Sequence, residues 1–264
     1  MRSFRLGTLA AALLLLLLPL VVSSCYITCA CDSTPDPNWT PPPIGADEAG
    51  VYAAKVAGVP SMTAVEVSGL NGRPFYRATA DNTVAFVDAA EGGDVLEVIA
   101  IDRMPEAATT EPPTAVAKSA ADAFMARTGS STADLTESSE LKTVSGVSAY
   151  DFTWTDSLGS AKFTISVNPS TQAVFAYADL RMQLPLTLPI LGQNRATAIA
   201  VAARNVPGDQ VNLASLTVDF STGAQVSTWD VSMGVPIADG SQTIEQKFVV
   251  RVDASTGATT TVKS

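Results

Sequence analysis

A pattern of two strands around a tight turn occurs three times in this 264-residue chain. The clearest copy covers residues 247–262, where Phe248, Val250 and Val252 alternate with residues of the opposite face. Such a period of two is typical of a β-strand. Residues 253–257 (D-A-S-T-G) then have the composition of a turn, and a threonine-rich strand follows.

The other two copies lie at residues 87–92 and 167–172 and align with residues 252–257. Asp88, Asn168 and Asp253 occupy the same place in the three copies. An Asx side chain there can close a turn onto its own backbone. Each hairpin ends a stretch with one short helix and about four strands. The sequence therefore predicts an α+β fold of tandem small units, each a short helix packed on an antiparallel sheet.

The predicted units cover residues 45–103, 114–181 and 195–264. The three helices are predicted at residues 46–59, 114–127 and 196–206. Val51, Ala54 and Val56 are predicted to share the buried face of the first helix, and Val65 and Val67 one face of the strand at 63–70. The second helix has an apolar stripe at helical spacing: Ala117, Ala120, Ala121, Phe124 and Met125. The other predicted strands cover residues 75–80, 83–88, 95–101, 141–144, 149–155, 162–167, 173–178, 211–220 and 225–233.

The N-terminus has the composition of an export signal. Arg2 and Arg5 precede an apolar run at residues 6–22, and Val22-Ser23-Ser24-Cys25 follows. This resembles a bacterial lipoprotein signal. The resemblance implies a signal peptide at 1–24 and a mature chain that begins at Cys25, bearing diacylglycerol and palmitate-type acyl chains that anchor it to the membrane. An uncleaved membrane anchor and simple secretion are the alternatives, and all three place the body outside the cytoplasmic membrane.

Residues 25–44 form the predicted tether between anchor and body. The stretch is rich in proline and is expected to be extended and semi-rigid. It also contains Cys29 and Cys31, whose spacing is too tight for an unstrained disulfide. Extra acylation, a strained pair, intermolecular links and no role at all stay open for these two thiols.

The composition excludes several classes of function. The chain has no histidine, and its three cysteines all lie before residue 32. Zinc, haem-thiolate and iron–sulfur sites are therefore not expected in the body, and no cofactor is predicted. The net charge is −10 and no basic cluster occurs, so nucleic acid is not an expected partner.

The third copy resembles a PepSY domain. The matching features are the alanine-rich helix at residues 196–203, the break at 206–208, the Trp229-Asp230-Val231 strand and the closing V-V-R-V-D-A-S-T-G-A. The second copy resembles the repeat of YcdB-type bacterial surface proteins, and the first keeps the hairpin pair with a shorter helix. PepSY domains occur in propeptides of thermolysin-like proteases and in envelope proteins. The resemblance implies a non-catalytic role, with peptidase inhibition or regulation as one suggestion.

Three features are candidate sites, each with a plainer explanation. Tyr150, Phe152 and Trp154 could stack on a ligand, although an inward strand face is the more ordinary reading. Asp88, Asn168 and Asp253 could bind calcium, although turns need the same residues. The apolar, proline-containing segment 182–191 could be an exposed partner contact or could pack between the second and third units.

The sequence predicts a non-catalytic envelope lipoprotein that binds or modulates another extracytoplasmic protein or peptide, with a peptidase as one candidate. Lipid attachment at Cys25 is the one predicted site residue, and no catalytic or metal residue is predicted. The alternatives are a carboxylate-based extracytoplasmic hydrolase and a structural spacer or small-ligand carrier.

Overall fold

The computed structural model describes residues 44–67, 74–89, 93–182, 184–205, 210–220, 224–239 and 242–263. Within these ranges, three helices and twelve strands form an α+β fold with one eight-stranded and one four-stranded antiparallel sheet. Cys25, Cys29, Cys31 and the predicted tether before Ile44 lie outside the described residues, as do the turn tips at 71–72, 90–92 and 207–208.

The helices are α1 (Ala46–Ala57), α2 (Ala115–Thr128) and α3 (Gln193–Arg204). Local sequence explains their ends. Thr114 caps α2, because its side chain accepts a hydrogen bond from the amide of Ala117 at 3.0 Å. Gly58, Gly129 and Asn205 follow the three helices in the left-handed conformation, which these residue types adopt most readily.

The eight-stranded sheet contains two sets of four strands. The first set, which follows α1, comprises β1 (Thr63–Val67), β2 (Phe75–Ala80), β3 (Thr83–Asp88) and β4 (Val95–Ala100). The second set, which follows α2, comprises β5 (Thr136–Val144), β6 (Val147–Thr155), β7 (Ala161–Val167) and β8 (Val174–Asp179). The strand order is β1-β2-β3-β4-β8-β7-β6-β5. The two sets thus share one sheet, and they meet at an antiparallel β4–β8 seam.

The third set follows α3 and forms the small sheet. It comprises β9 (Gln210–Asp219), β10 (Val226–Asp239), β11 (Gln242–Asp253) and β12 (Thr259–Lys263), in the order β12-β11-β10-β9. Phe248, Val250 and Val252 of β11 are buried and alternate with more exposed neighbours. The strand pair predicted at residues 247–262 is confirmed, with β11 and β12 in antiparallel register.

The two faces of the large sheet lie in separate cores. Helices α1 and α2 cover one face and bury Phe124 against Tyr150, Phe152 and Trp154. The other face packs against the third set and the segment before it. There Phe75, Phe86 and Phe220 form a cluster of edge-to-face rings, with centroids 5.1–5.8 Å apart. Aromatic packing therefore joins the two sheets.

The segment 182–191 is part of this second core. Leu188, Ile190 and Leu191 are buried, and the amides of Ile190 and Leu191 both donate to the carbonyl of Ala254, at 2.8 and 2.9 Å. Trp229 donates its indole N–H to the carbonyl of Leu191 at 2.7 Å. Packing between the second and third sets is thus confirmed for the end of the segment, and its alternative as an exposed contact is wrong there.

Several predicted details differ from the structure. Val51 is 67% exposed, because α1 turns Ala49, Ala53 and Val56 towards the sheet instead. Val65 is 48% exposed, because it lies on the edge strand β1. β5 begins at Thr136, five residues earlier than predicted, since its polar first half needs no apolar face at the solvent-exposed sheet edge.

Candidate functional site

The aromatic strand does not provide a ligand platform. Tyr150, Phe152 and Trp154 are 1%, 1% and 4% exposed. They share a core with Phe124 of α2, which is the plainer of the two interpretations.

The turn residues act on their own backbone. Asn168 accepts hydrogen bonds from the amides of Ser170 and Thr171, and Asp253 accepts them from Ser255 and Thr256, at 2.8–3.4 Å. These are Asx turns, as predicted. Asp88 is fully buried, and the tip of its hairpin lies outside the described residues. Among the described residues, no group of three or more His, Cys, Asp or Glu side chains could hold a metal ion.

A polar face, which we call the open face, lies on β5, β6 and β7 opposite the helices. Register places its residues in two rows across the strands, because directly paired residues share a face. The rows are Glu140–Asp151–Ser166 and Ser138–Thr153–Thr164. Ser138 and Glu140 are exposed, and Thr153 and Thr164 are half-buried. The third set covers the start of β6, where Val147 and Ala149 join its core, and Asp151 and Ser166 of the first row are buried as well.

Asp151 is the most unusual residue of the open face. It is 8% exposed, and its Oδ1 accepts a hydrogen bond of 2.5 Å from the hydroxyl of Ser166. Lys142 lies 4.0 Å from the other carboxylate oxygen. Burial raises the pKa of Asp151, and the Ser166 hydrogen bond and Lys142 oppose this shift. An ionisable group with a shifted pKa beside an open surface is a candidate binding residue.

Strand β5 forms the edge of the large sheet beside this face. It pairs only with β6 among the described strands, so its outer edge offers unpaired backbone groups over nine residues. Glu137 is held by Lys118 at 2.7 Å. Glu140 is exposed and has no ion-pair or hydrogen-bond partner within the described part of the chain. The edge and the open face together form a polar surface with one available carboxylate.

A second polar group, which was not predicted from the sequence, lies inside the contact between the two sheets. Glu97 of β4 is fully buried, and its Oε1 accepts a hydrogen bond of 2.7 Å from the side chain of Gln225. Gln225 also donates to Ser227 and accepts from the amide of Thr187, both at 3.0 Å. The second carboxyl oxygen, Oε2, is buried without a partner among the described residues. Burial raises the pKa of Glu97 to about 8.

A signal for Glu97 was present in the sequence. It is the one charged residue of the otherwise apolar strand at residues 95–101, and a charge in a strand that is buried on both faces needs a partner. Its neutral partner could not be identified, because Gln225 lies 128 positions away.

Glu106 is another carboxylate that joins the first two sets to the third. It lies in the connection between the first two sets, and its Oε2 accepts a hydrogen bond from the amide of Arg195 at 3.1 Å. The carboxylate thereby caps the N-terminus of α3, where Gly192 has no side chain to do so. Burial raises the pKa of Glu106.

The predicted lipid site, Cys25, lies outside the described residues. None of the helices that the structure describes combines the length and the apolar character needed to span a bilayer.

Comparisons with known proteins yield one structural likeness. No family model and no curated protein matches the sequence. Among solved structures, the chain is similar to the C-terminal domain of Bacillus megaterium YpeB, at 11% identity and a TM-score of 0.39. The match covers 84% of this chain and 99% of that domain. A likeness at this level supports no conclusion about function.

Proposed function

We propose that this protein is an extracytoplasmic lipoprotein that binds an extended segment of another envelope protein along β5 and the open face. The edge of β5 carries the proposal, because an unpaired strand edge can accept an added strand through main-chain hydrogen bonds. The side chains of the open face would then select the partner. The proposal assigns the chain no catalytic step.

The chemistry of β5 defines the partner. Glu140 supplies an available carboxylate in an acidic chain, so the segment bound beside it carries a lysine or arginine. The hydroxyl groups of Ser138, Thr153 and Thr164 suit polar neighbours of that basic residue. A peptidase with such an exposed segment would fit this description.

The anchor and the repeated units belong to the same proposal. Cys25 would hold the body at the membrane, with the tether at 25–44 raising it from the surface. Each set of one helix and four strands would be a copy of one PepSY-like unit. In this arrangement, the β4–β8 pairing uses one edge strand of each of the first two sets. The second set then keeps β5 as its unpaired edge, which would be the binding edge.

Photo-crosslinking in the native membrane tests the binding edge. Benzoylphenylalanine at Thr136 of β5, which shares the face of Ser138 and Glu140, should form an adduct with one envelope protein, whereas the same group at Thr260 of the exposed edge strand β12 should not. Mass spectrometry of the adduct should place the crosslink in a segment that contains a basic residue. Equal adducts from both positions would show non-specific contact and would contradict the proposal.

The captured segment is then synthesised and its affinity measured. Glu140→Lys should weaken its binding about tenfold through charge repulsion. Glu111→Lys, an exposed glutamate in the connection before α2, is the matched control and should leave the affinity unchanged. Equal losses of affinity in the two variants would show that net charge causes the effect and that Glu140 has no specific role in binding.

The anchor has its own test. Cys25→Ser should prevent acylation, so the protein should move from the membrane fraction to the soluble extracytoplasmic fraction and lose the mass of its acyl groups. Cys29→Ser is the control and should stay at the membrane. Membrane retention of the Cys25→Ser protein with unchanged mass would refute lipidation at this residue.

A further inference from the structure

A small cavity of about 50 Å³ lies on the helix side of the large sheet, at one end of the β4–β8 seam. The C-terminal ends of α1 and α2 form one wall, through Lys55 and Arg127. Asp94, Asp179 and Arg181 form the other. The open face lies on the opposite side of the sheet, so the two sites are separate.

The two acidic residues of the cavity are already neutralised in part by Arg181. Its guanidinium group contacts Asp179 at 2.6 and 3.0 Å, and Asp94 at 3.5 Å. The ring of Phe163 lies beneath the same guanidinium at 4.9 Å. Counting Lys55 and Arg127, the side chains that line the cavity carry three positive and two negative charges, in a chain whose net charge is −10.

Arg127 has no carboxylate partner among the described residues. Its Nε donates to the carbonyl of Val56 at 3.1 Å, and its guanidinium lies over the ring of Phe124 at 4.7 Å. These contacts fix the group in place and leave its Nη donors without a hydrogen-bond partner in the described part of the chain. Burial lowers the pKa of Arg127, and the positive charge of Arg103 lowers it further.

We propose that this cavity binds a carboxylate group carried by a peptide. A guanidinium fork matches the two oxygens of a carboxylate in geometry and charge. The hydroxyl of Ser130, which lines the same cavity, is a further donor. A carboxylate brings one negative charge, whereas a phosphate would bring a second one next to Asp94 and Asp179.

Ligand-observed saturation-transfer NMR on the intact protein in detergent micelles tests this proposal. The first probe is acetate, titrated at constant ionic strength against chloride. Three acetylated tripeptides follow: trialanine with a free C-terminus, trialanine amide, and Ala-Asp-Ala amide. Saturable binding of acetate and of at least one carboxylate peptide, with dissociation constants of about 1–10 mM, is expected, with no binding of trialanine amide. The two carboxylate peptides distinguish a chain terminus from an acidic side chain.

Matched variants locate the site. Arg127→Gln should abolish saturable binding. Arg204→Gln should not, although Arg204 also ends a helix and lies over a phenylalanine ring, that of Phe248 at 3.9 Å. If Arg127→Gln does not fold, Arg127→Lys replaces it and should weaken binding about tenfold, since lysine lacks the fork.

The wild-type titration alone can overturn the proposal. Absence of saturable binding by every carboxylate probe would do so, and so would full affinity in a folded Arg127 variant. Neither result would affect crosslinking from β5, so this site and the proposed function can fail independently.

Discussion

The β4–β8 seam and the contact between the two sheets connect the three sets of elements by different means. At the seam, backbone groups pair across Glu97–Ile99 and Ala176–Ala178, and the sheet continues without interruption. At the sheet contact, side chains make the connection: aromatic rings, Trp229, and the Glu97–Gln225 pair. Main-chain pairing depends little on residue identity, whereas a side-chain contact can be weakened by one substitution. The sheet contact should therefore open before the seam does.

The largest expected effect comes from Trp229, which is fully buried and donates to Leu191. Trp229→Ala should lower the free energy of unfolding by about 5 kcal/mol, because it leaves a large cavity and an unpaired carbonyl. Hydrogen exchange should speed up in β10 and β11 far more than in β4 and β8. Equal acceleration in both pairs would show that the third set and the seam unfold together. The sheet contact would then not open before the seam.

The next effect is a pH dependence that originates at Glu97. Its pKa is about 8 in the fold because of burial, against an ordinary value of 4.5. Between these values the unfolded chain releases a proton that the folded chain retains, so stability falls as the pH rises. The fall should be on the order of 4 kcal/mol from pH 5 to pH 8 and should level off above that, where both states are ionised.

Glu97→Gln removes this proton and keeps the shape of the side chain. Urea unfolding at several pH values should show a flatter profile for the variant, with greater stability than the wild type at pH 8. Glu111→Gln, an exposed control, should leave the wild-type slope unchanged. A slope that persists in Glu97→Gln would assign the pH dependence to other buried acids, of which Asp151 is the first candidate.

The difference between side-chain and main-chain contacts also explains which parts of the fold could be predicted from sequence. The closing hairpins were predictable, because an Asx side chain such as Asp253 bonds to amides only two and three residues away. The alternation of Phe248, Val250 and Val252 is local in the same sense. The β4–β8 seam was not predictable, because main-chain bonds between two strand edges leave no side-chain period that identifies the partner strand.

The candidate site was predictable to a smaller degree. The polar residues of β5 indicate only a solvent-facing strand, and neither edge position nor register with Asp151 can be read from them. Asp151 and Ser166 lie in different strands, and each occupies the polar position of an ordinary alternation. Their contact depends on strand register, which local sequence does not determine.

The smallest effect tests the charged end of the seam. Arg181 is about 39% exposed, but its partner Asp179 is almost completely buried. Arg181→Ala should therefore cost about 2 kcal/mol, between the values typical of exposed and of buried ion pairs. The matched control is Arg251→Ala, whose pair with Asp230 at 3.2 Å lies on the solvent side of the small sheet, and there a loss under about 1 kcal/mol is expected. Chemical denaturation measures both. Because backbone pairing holds the seam, exchange of the Val98 and Tyr177 amides, which face each other across it, should stay slow in Arg181→Ala. Rapid exchange there would show that charge, and not main-chain pairing, keeps the first two sets together.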